Sequence, residues 1–497
     1  MSIVIFTSTA TNSFQAHKMS SGGAGKLLDV VVVGGGLVGR ALAAAMAREA
    51  RCKGMQAALV VGKVPPMPTA TPSQRVVALS PASEAWLRRT GAWKKMGVEQ
   101  RPAFQSMRVA DACKPGAQVQ LDAKGCVIEV DMITKALQEA AKDAQGGAKV
   151  DWIWKDEVRS VQLPKNGGVE NAGDAMATVH LDSGERLRAR LVVAADGANS
   201  RVREMCGLTL RSYSHGQRAV CCVVNAQGVH HSTWQRFLPS GPIAVLPMRD
   251  GYSCIVWSIG EEEASNLEAS TDEEVLARVN EALHTEKFYE PPSQLLRLLG
   301  KHWHGKRPKE GGEVHSKTNQ GEKDDSIKSN CESAGSGVNG SPEEDSNFTH
   351  ENEKRGAFPW ATSLVSRPKS FPLKVGQSTR YTLPRLALAG DAAHVMHPLA
   401  GQGVNMGFGD VELLLDLMVK AGEGGEDIGG QRLLQEYAHR RRAANIAMTA
   451  TVEGLKALFA ANGNVMATAR LFGMSALDSM PFLKEQMVRF ASRSAKW

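Results

Sequence analysis

The run Leu386 to Asp410, LALAGDAAHVMHPLAGQGVNMGFGD, holds the residues of this chain with the most chemical meaning. An apolar stretch, Leu386 to Ala389, reads as a strand ending in Gly390-Asp391. A turn follows, then Gly401-Gln402-Gly403, which opens an apolar helix. An acid at a strand end accepts hydrogen bonds from a polyol. Glycines at a helix start let backbone N–H groups approach a ligand, with the positive end of the helix dipole behind them. A second cluster, Gly34 to Gly39 (GGGLVG), places GxGxxG between the apolar run LDVVVV and an Ala-rich segment. Glycines so placed serve the pyrophosphate of a dinucleotide. A third, Asp196 to Arg203 (DGANSRVR), is a DGxxSxxR pattern after an apolar run. Its Asp and Arg suit the fixing of a neighbouring loop and a pyrophosphate, and the same residues also make an ordinary strand-to-helix turn. His394 and His397 flank a turn with no acid at ligand spacing, so no metal site is expected.

These residues need elements to position them. Strand at 28–33, helix from Arg40 to Ala50 and strand at 57–61 make a βαβ opening around GxGxxG. The acid that closes the second strand of such a unit, and binds the adenosine ribose, should fall near Gly62-Lys63, and neither is acidic. Residues 187–195 form another buried strand before Asp196. Alternating strand and helix patterns imply a parallel sheet covered by helices. Residues 219–260 instead run as short strands between turns (AVCCVVNA, WQRFLP, GPIAVLPM, YSCIVWSIG), which reads as antiparallel sheet. A helix starts at Thr271, with Glu274 completing a capping box. From Asp410 onward the pattern is mostly helical, ending in an amphipathic helix started by Pro481, with Leu483, Met487 and Phe490 on one face. Its cations Lys484, Arg489, Arg493 and Lys496 leave two fates open, docking on the core or lying on a membrane.

The chain has 497 residues, enough for two or three domains, with an ordinary 42% hydrophobic and 22% charged content. Its formal charge is +7. Residues 305–356 run the other way, with eight Lys/Arg against eleven Asp/Glu and one aromatic, Phe348; they are expected to be disordered. The eight cysteines form no CxxC pair and read as reduced core thiols. No apolar run is long enough for a transmembrane helix. Residues 1–26 hold Lys18 and Lys26, many Ser and Thr, and no acid; they resemble an organelle transit peptide, although Arg is missing.

The order GxGxxG, DGxxSxxR, GD resembles that of the FAD-dependent aromatic hydroxylases. Within them the chain is most similar to those of ubiquinone (coenzyme Q) biosynthesis, above all the mitochondrial ring monooxygenases. Supporting runs are Arg75 to Ser80, Gly91-Ala92-Trp93, Trp234 to Pro239, Gly241 to Pro247 and, most sharply, His397 to Asp410 (HPLAGQGVNMGFGD). The likeness spans about residues 28–300 and 358–492; the 305–356 insert and the missing acid at Gly62 depart from it, as does Val130 after Glu129.

The resemblance implies an α/β protein: a Rossmann-like FAD-binding domain with a parallel sheet, an antiparallel-sheet substrate domain and a C-terminal helical region. The expected division is a leader at 1–26, FAD-binding parts at 27–210 and 381–420, substrate-domain parts at 211–304 and 357–380, the insert at 305–356 and helices at 421–497. FAD is the implied cofactor, held by Gly34, Gly36, Gly39, Arg75, Asp196, Asp391, Gly401 and Gly403. Trp234, Arg236, Phe237 and Pro398 would line the substrate chamber. No single residue is identified as catalytic. The implied reaction is hydroxylation of a polyprenylated phenol by molecular oxygen through a flavin hydroperoxide. Implied partners are ferredoxin and its reductase (or NADPH) and a quinone-biosynthesis complex, with no nucleic acid. The implied location is the matrix side of the mitochondrial inner membrane, as a peripheral protein. Two other readings stand beside this one: a flavin hydroxylase or epoxidase acting on another lipid or phenol, and an inactive scaffold of a quinone-biosynthesis complex.

Overall fold

The computed structural model describes residues 26–113, 118–164, 176–228, 231–285, 358–398 and 401–460, with Met474 and Met480. The expected leader, the 305–356 insert and the helix from Pro481 lie outside the described residues.

The chain opens with strand β1 (Lys26–Val33), helix α1 (Leu37–Arg48) and strand β2 (Gln56–Val61), the expected βαβ unit. β1 and β2 are parallel, Val30 facing Ala57. Strand β3 (Lys149–Trp154) adds to the far side of β2, and β4 (Arg186–Ala194) to the free side of β1, both in parallel. Apart from exposed Leu27 and half-buried Val150, their Val, Ala and Leu residues are buried on both faces, as a sheet covered on two sides requires. One covering layer is built from α1 and the helix Val130–Lys142. The other holds the antiparallel strands Ala177–Leu181 and Val158–Gln162.

After a short helix α2 (Arg201–Met205) the chain leaves this sheet through β5 (Leu210–Gln227). Strands β6 (Ser232–Leu238), β7 (Gly241–Pro247) and β8 (Tyr252–Gly260) continue it as antiparallel hairpins. Helix α3 (Asp272–His284) follows, capped by Thr271 and Glu274 as its sequence implies. Strand β9 (Trp360–Ser378) runs back along nearly all of β5, Gln227 facing Trp360 and Leu210 facing Ser378. The sheet order is β9-β5-β8-β7-β6, with Ser106–Asp111 then added in parallel to β6. β5 and β9 are thus the two arms between the sheets.

β9 hands the chain back to the first sheet as β10 (Leu386–Leu388), parallel to β4. Its order becomes β10-β4-β1-β2-β3. Two long helices finish the described chain, α4 (Gln402–Glu423) and α5 (Gln431–Ala460). Among the described residues no helix is long and apolar enough to cross a membrane. The described cysteines are free thiols, five of the seven buried; burial pushes that of Cys126 up to about 12, so it stays protonated.

Arg40 is an unexpected core residue. It sits fully buried in α1, beneath the GxGxxG turn. Its Nε donates to Gly35 O at 2.7 Å and its Nη1 to Gln138 Oε1 at 3.1 Å. The guanidinium lies 5.1 and 5.2 Å from the ring centroids of Trp152 and Trp154, two stacked indoles of β3. Burial lowers its pKa to about 10, so it remains charged at neutral pH. Lysine cannot reproduce the planar fork or the stacking. Arg40→Lys should lower the unfolding free energy by about 1–3 kcal/mol in urea titrations; an unchanged midpoint would show that the guanidinium contacts do not support the turn.

Candidate functional site

The three motifs meet at the C-terminal edge of the parallel sheet, and the glycines show how closely. Gly34 has φ +120°, and a Cβ there would lie 2.2 Å from Ala195 O, so the ends of β1 and β4 touch where only glycine fits. A Cβ on Gly39 would lie 2.1 Å from Gly34 O, so α1 can settle onto the turn. Gly36 differs: nothing lies within 4 Å of its Cβ position. Its side faces open space, as a residue beside a ligand must. Val38, in the first turn of α1, packs on Gly390 and Gly407, whose Cβ positions fall 3.0 and 2.6 Å from Val38 Cγ2. The N-terminal turn and the Gly390-Asp391 turn therefore form one surface.

Asp391 lies on that surface. It is open to solvent yet walled in by protein, as a group on the floor of a cleft is. The crowding pushes its carboxyl above the ordinary Asp range; His394 opposes this and Asp410 adds to it. The start of α4 forms another wall. Gly401 has φ +61° and its Cβ position is 3.1 Å from Ala78 Cβ, whereas Gly403 again has nothing within 4 Å. Asn405 ties this helix start to the Arg75–Ser80 run. Its Nδ2 donates to Ala78 O and Gly401 O, both at 3.0 Å, and its Oδ1 accepts from Ser80 N at 3.1 Å and Ser83 Oγ at 2.7 Å. Arg75 itself is solvent-exposed, 3.8 Å from Asp131.

The DGxxSxxR motif acts mainly on protein. Asp196 uses Oδ1 to accept from Ser200 Oγ (2.5 Å) and Oδ2 from Val202 N (3.1 Å). Arg203, buried, donates Nη1 to Ala392 O at 3.0 Å and Nη2 to Ala198 O at 2.9 Å. Its guanidinium thus fixes the turn that carries Asp391, which is the loop-fixing role expected of this motif.

Asp410 is the residue whose role the sequence concealed. It is fully buried in α4. It accepts hydrogen bonds from His394 Nε2 (2.6 Å), Arg441 Nε (2.7 Å), Gly390 N (2.8 Å) and Asn445 Nδ2 (3.2 Å). Arg441 also donates to Met406 O and Asn445 Oδ1. Burial alone would raise the Asp410 pKa, but the charges of His394 and Arg441 and the donated hydrogen bonds hold it well below the usual carboxylate range. The visible signal was an acid, Asp410, inside an apolar helix run.

The residues expected at the substrate chamber divide between the two faces of β6. Phe237 stacks on Phe459 with centroids 3.7 Å apart, and packs with Met406, Met448 and Val452. Met406 lies one turn beyond Gly403, so this apolar cluster adjoins the first turns of α4. Trp234 and Arg236, by strand alternation, point to the opposite face. Trp234 joins the core beneath α3, and Arg236 donates to Ala282 O and Thr285 O. Their assignment to the chamber is corrected: they anchor α3. Pro398 is half-buried beside His397. His397 is buried and stands 5.4 Å from the ring of His215, which in turn lies 3.4 Å from Glu453. Burial, with Lys456 and His215 adding, lowers the His397 pKa to about 3, so it is neutral at working pH.

Two outcomes follow. Asp410→Asn leaves the buried Arg441 without its counter-charge and should cost about 3–5 kcal/mol, read by denaturant unfolding. Adding Arg441→Met should recover part of the loss; no recovery would mean that Asp410 acts through Gly390 alone. For His397, the unfolded chain binds a proton below about pH 6.5 that the folded protein refuses until about pH 3. Stability is therefore lost as pH falls through that window, at up to about 1.4 kcal/mol per pH unit. His397→Asn should flatten the acid limb of a melting-temperature profile between those values; an unaltered limb would contradict the assignment.

The FAD binding domain family model matches residues 27–304 and 301–452. Ubiquinone biosynthesis monooxygenase COQ6, mitochondrial, of Mus musculus is 30% identical over 494 residues, covering 96% of this chain and 94% of its own length. The Homo sapiens protein of the same name is 31% identical, covering 94% and 92%. Among solved structures, p-nitrophenol 4-monooxygenase PnpA from Pseudomonas putida DLL-E4 superposes with TM-score 0.63 at 15% identity, over 95% of this chain and 99% of its own. The probable FAD-dependent monooxygenase pqsL from Pseudomonas aeruginosa gives 0.62 at 17% identity, over 91% and 100%. At such identities these two speak for the fold. Family model, relatives and fold agree with a glycine-lined cleft open at Gly36 and Gly403, and the chain belongs to the FAD binding domain family, among the ubiquinone biosynthesis monooxygenases.

Proposed function

We propose that this chain is a mitochondrial FAD-dependent monooxygenase that hydroxylates the aromatic ring of a polyprenylated phenol in ubiquinone biosynthesis. The observation that carries the reading is the cleft: two glycines with no neighbour on their open side, Gly36 and Gly403, on a surface that Asp391 shares. In this reading the backbone at Gly34, Gly36 and Gly39 receives the FAD pyrophosphate, and Asp391 accepts hydrogen bonds from the ribityl chain. Asp196, its carboxylate already engaged in its own turn, holds the wall beside the pyrophosphate. Arg75 sits on the run that Asn405 fastens to α4, on the flavin's other side.

FAD, when bound, supplies the activation of molecular oxygen for insertion into the ring. The protein's work is placement, exclusion of water and stabilisation of charge. The start of α4 at Gly401–Gly403 points its dipole at the flavin ring, which is worth about 0.3–2 kcal/mol toward negative charge there. Phe237 and Met406 supply apolar wall for a ring with a long hydrocarbon tail. His397, held neutral, adds no charge beside Pro398.

Each turnover puts one oxygen atom into the ring and releases the other as water, so two electrons and two protons must enter. A reductant is therefore required, and we assign it to a ferredoxin with its reductase, with NADPH as the rival donor. The net charge of +7 suits an acidic donor protein. We also place the chain as a peripheral protein on the matrix side of the inner membrane, within a quinone-biosynthesis complex.

The purified protein should show the visible absorbance of bound flavin. Gly36→Asp meets no steric barrier in the protein, so its cofactor-free melting temperature should match wild type, while the added carboxylate repels the pyrophosphate and abolishes FAD retention. In cells lacking the protein, lipid mass spectrometry should find a polyprenyl phenol short of one hydroxyl, cleared by wild type and not by Gly36→Asp. FAD retained by the variant, or an unaltered quinone profile in the null cells, would sink the proposal.

A further inference from the structure

The adenosine end of the cleft lacks its usual acid. In a dinucleotide-binding βαβ unit an acid closing the second strand binds the ribose hydroxyls. Here β2 ends at Val61 and is followed by Gly62-Lys63. The structure fills the gap from the neighbouring strand. A Cβ built on Gly62 would lie 3.0 Å from Cγ, 3.2 Å from Oε1 and 3.5 Å from Cδ of Glu157. The Glu157 carboxylate thus stands in the space that a side chain at position 62 would enter.

Its support is well defined. Glu157 follows β3, whose last residue, Trp154, pairs with Val61. Lys155 N donates to Val61 O at 2.8 Å, and Lys155 takes φ +58°, which turns the chain sharply toward β2. Buried Asp156 accepts from Glu157 N at 3.0 Å and from Ser183 N at 3.2 Å, and Glu157 O accepts from Asp182 N at 2.9 Å. The backbone at 155–157 is therefore held from both sides while the side chain reaches out. One carboxylate oxygen, Oε2, accepts from Arg201 Nη1 at 2.6 Å. The other, Oε1, is the one that faces Gly62.

We propose that Glu157 binds the hydroxyls of the adenosine ribose of FAD, taking over from the absent acid at the end of β2, with Gly62 making room for it. This rests on the FAD reading of the cleft. Two vicinal hydroxyls donate to one carboxylate in a charge-assisted pair, and the backbone at 155–157, held from both sides, positions that carboxylate. The competing account is a plain surface ion pair between Glu157 and Arg201, their side chains 46% and 52% exposed, of no consequence for the cofactor.

The test is a binding cycle on the full-length protein stripped of flavin, using FAD and FAD whose adenosine ribose lacks the 2′-hydroxyl. Wild type should prefer FAD by about tenfold, and Glu157→Ala should bind both about equally while losing about ten- to a hundredfold for FAD. Arg201→Ala should keep the preference. Gly62→Glu in the Glu157→Ala background should restore it, now that the space is free. A preference that survives in Glu157→Ala, or that Arg201→Ala removes just as fully, overturns the proposal. A wild-type protein that binds neither flavin would instead overturn the FAD reading.

Discussion

The buried carboxylate of Asp410 is the constraint on which the rest of the cleft depends. A carboxylate in the interior is tolerated only when its charge is matched and its oxygens are occupied. Here a histidine from the turn after β10, an arginine and an asparagine from α5, and the backbone N–H of Gly390 do both. One side chain therefore fastens the end of the parallel sheet, α4 and α5 together. Gly390 is the residue before Asp391, so the same hydrogen bond that satisfies the buried charge sets where the cleft acid stands. Arg203 reinforces this from the other side by reaching Ala392 O. The cleft floor is thus held by a buried anion at Gly390 and a buried cation at Ala392, two points of attachment two residues apart in the chain.

Close packing then converts this anchor into shape. Val38 sits against Gly390 and Gly407, so the first turn of α1 cannot move relative to the floor without opening a void or a clash. Asn405 carries the constraint on to the Arg75–Ser80 run, since every one of its side-chain hydrogen-bonding directions is used between Ala78, Ser80, Ser83 and Gly401. A cofactor spanning these walls would meet a preformed site. The glycines without neighbours, Gly36 and Gly403, are where that rigid frame has been left open.

Legibility in the sequence followed polarity and spacing. The βαβ opening, the antiparallel strands after Ala219 and the capping box at Thr271 all had contrast or punctuation to mark them, and all are present, although β5 begins at Leu210, nine residues before the run that marks it. The facing of β6 has none: all seven of its residues are buried, so no polar alternation sets the phase, and the sequence alone puts Trp234 and Arg236 on the same face as Phe237. Arg40 was hidden for the opposite reason. A single cation in an Ala-rich helix reads as a surface residue, and only the paired indoles of β3, more than a hundred positions away, make it a core one. Long-range pairing is what local pattern cannot carry.

The joint between the sheets is where these constraints become chemistry. β5 and β9 span from one sheet to the other, so the apolar cluster around Phe237 is presented to α4 by the same backbone that returns as β10 and ends in Asp391. In the proposed function a hydrocarbon-tailed ring needs an apolar wall within reach of the flavin, while the cofactor needs polar groups and a helix start. The two demands conflict within one layer, because buried polar groups without partners are costly. The fold separates them. Polar and charged groups at the cleft are bonded to protein on the parallel-sheet side, at Asp196, Arg203 and Asp410, and the facing surface of β6 contributes Phe237. His397, buried beside Pro398, fits this separation, since burial, with Lys456 and His215 adding, keeps it uncharged. An ionised group at that point would draw water toward the very surface that has to exclude it.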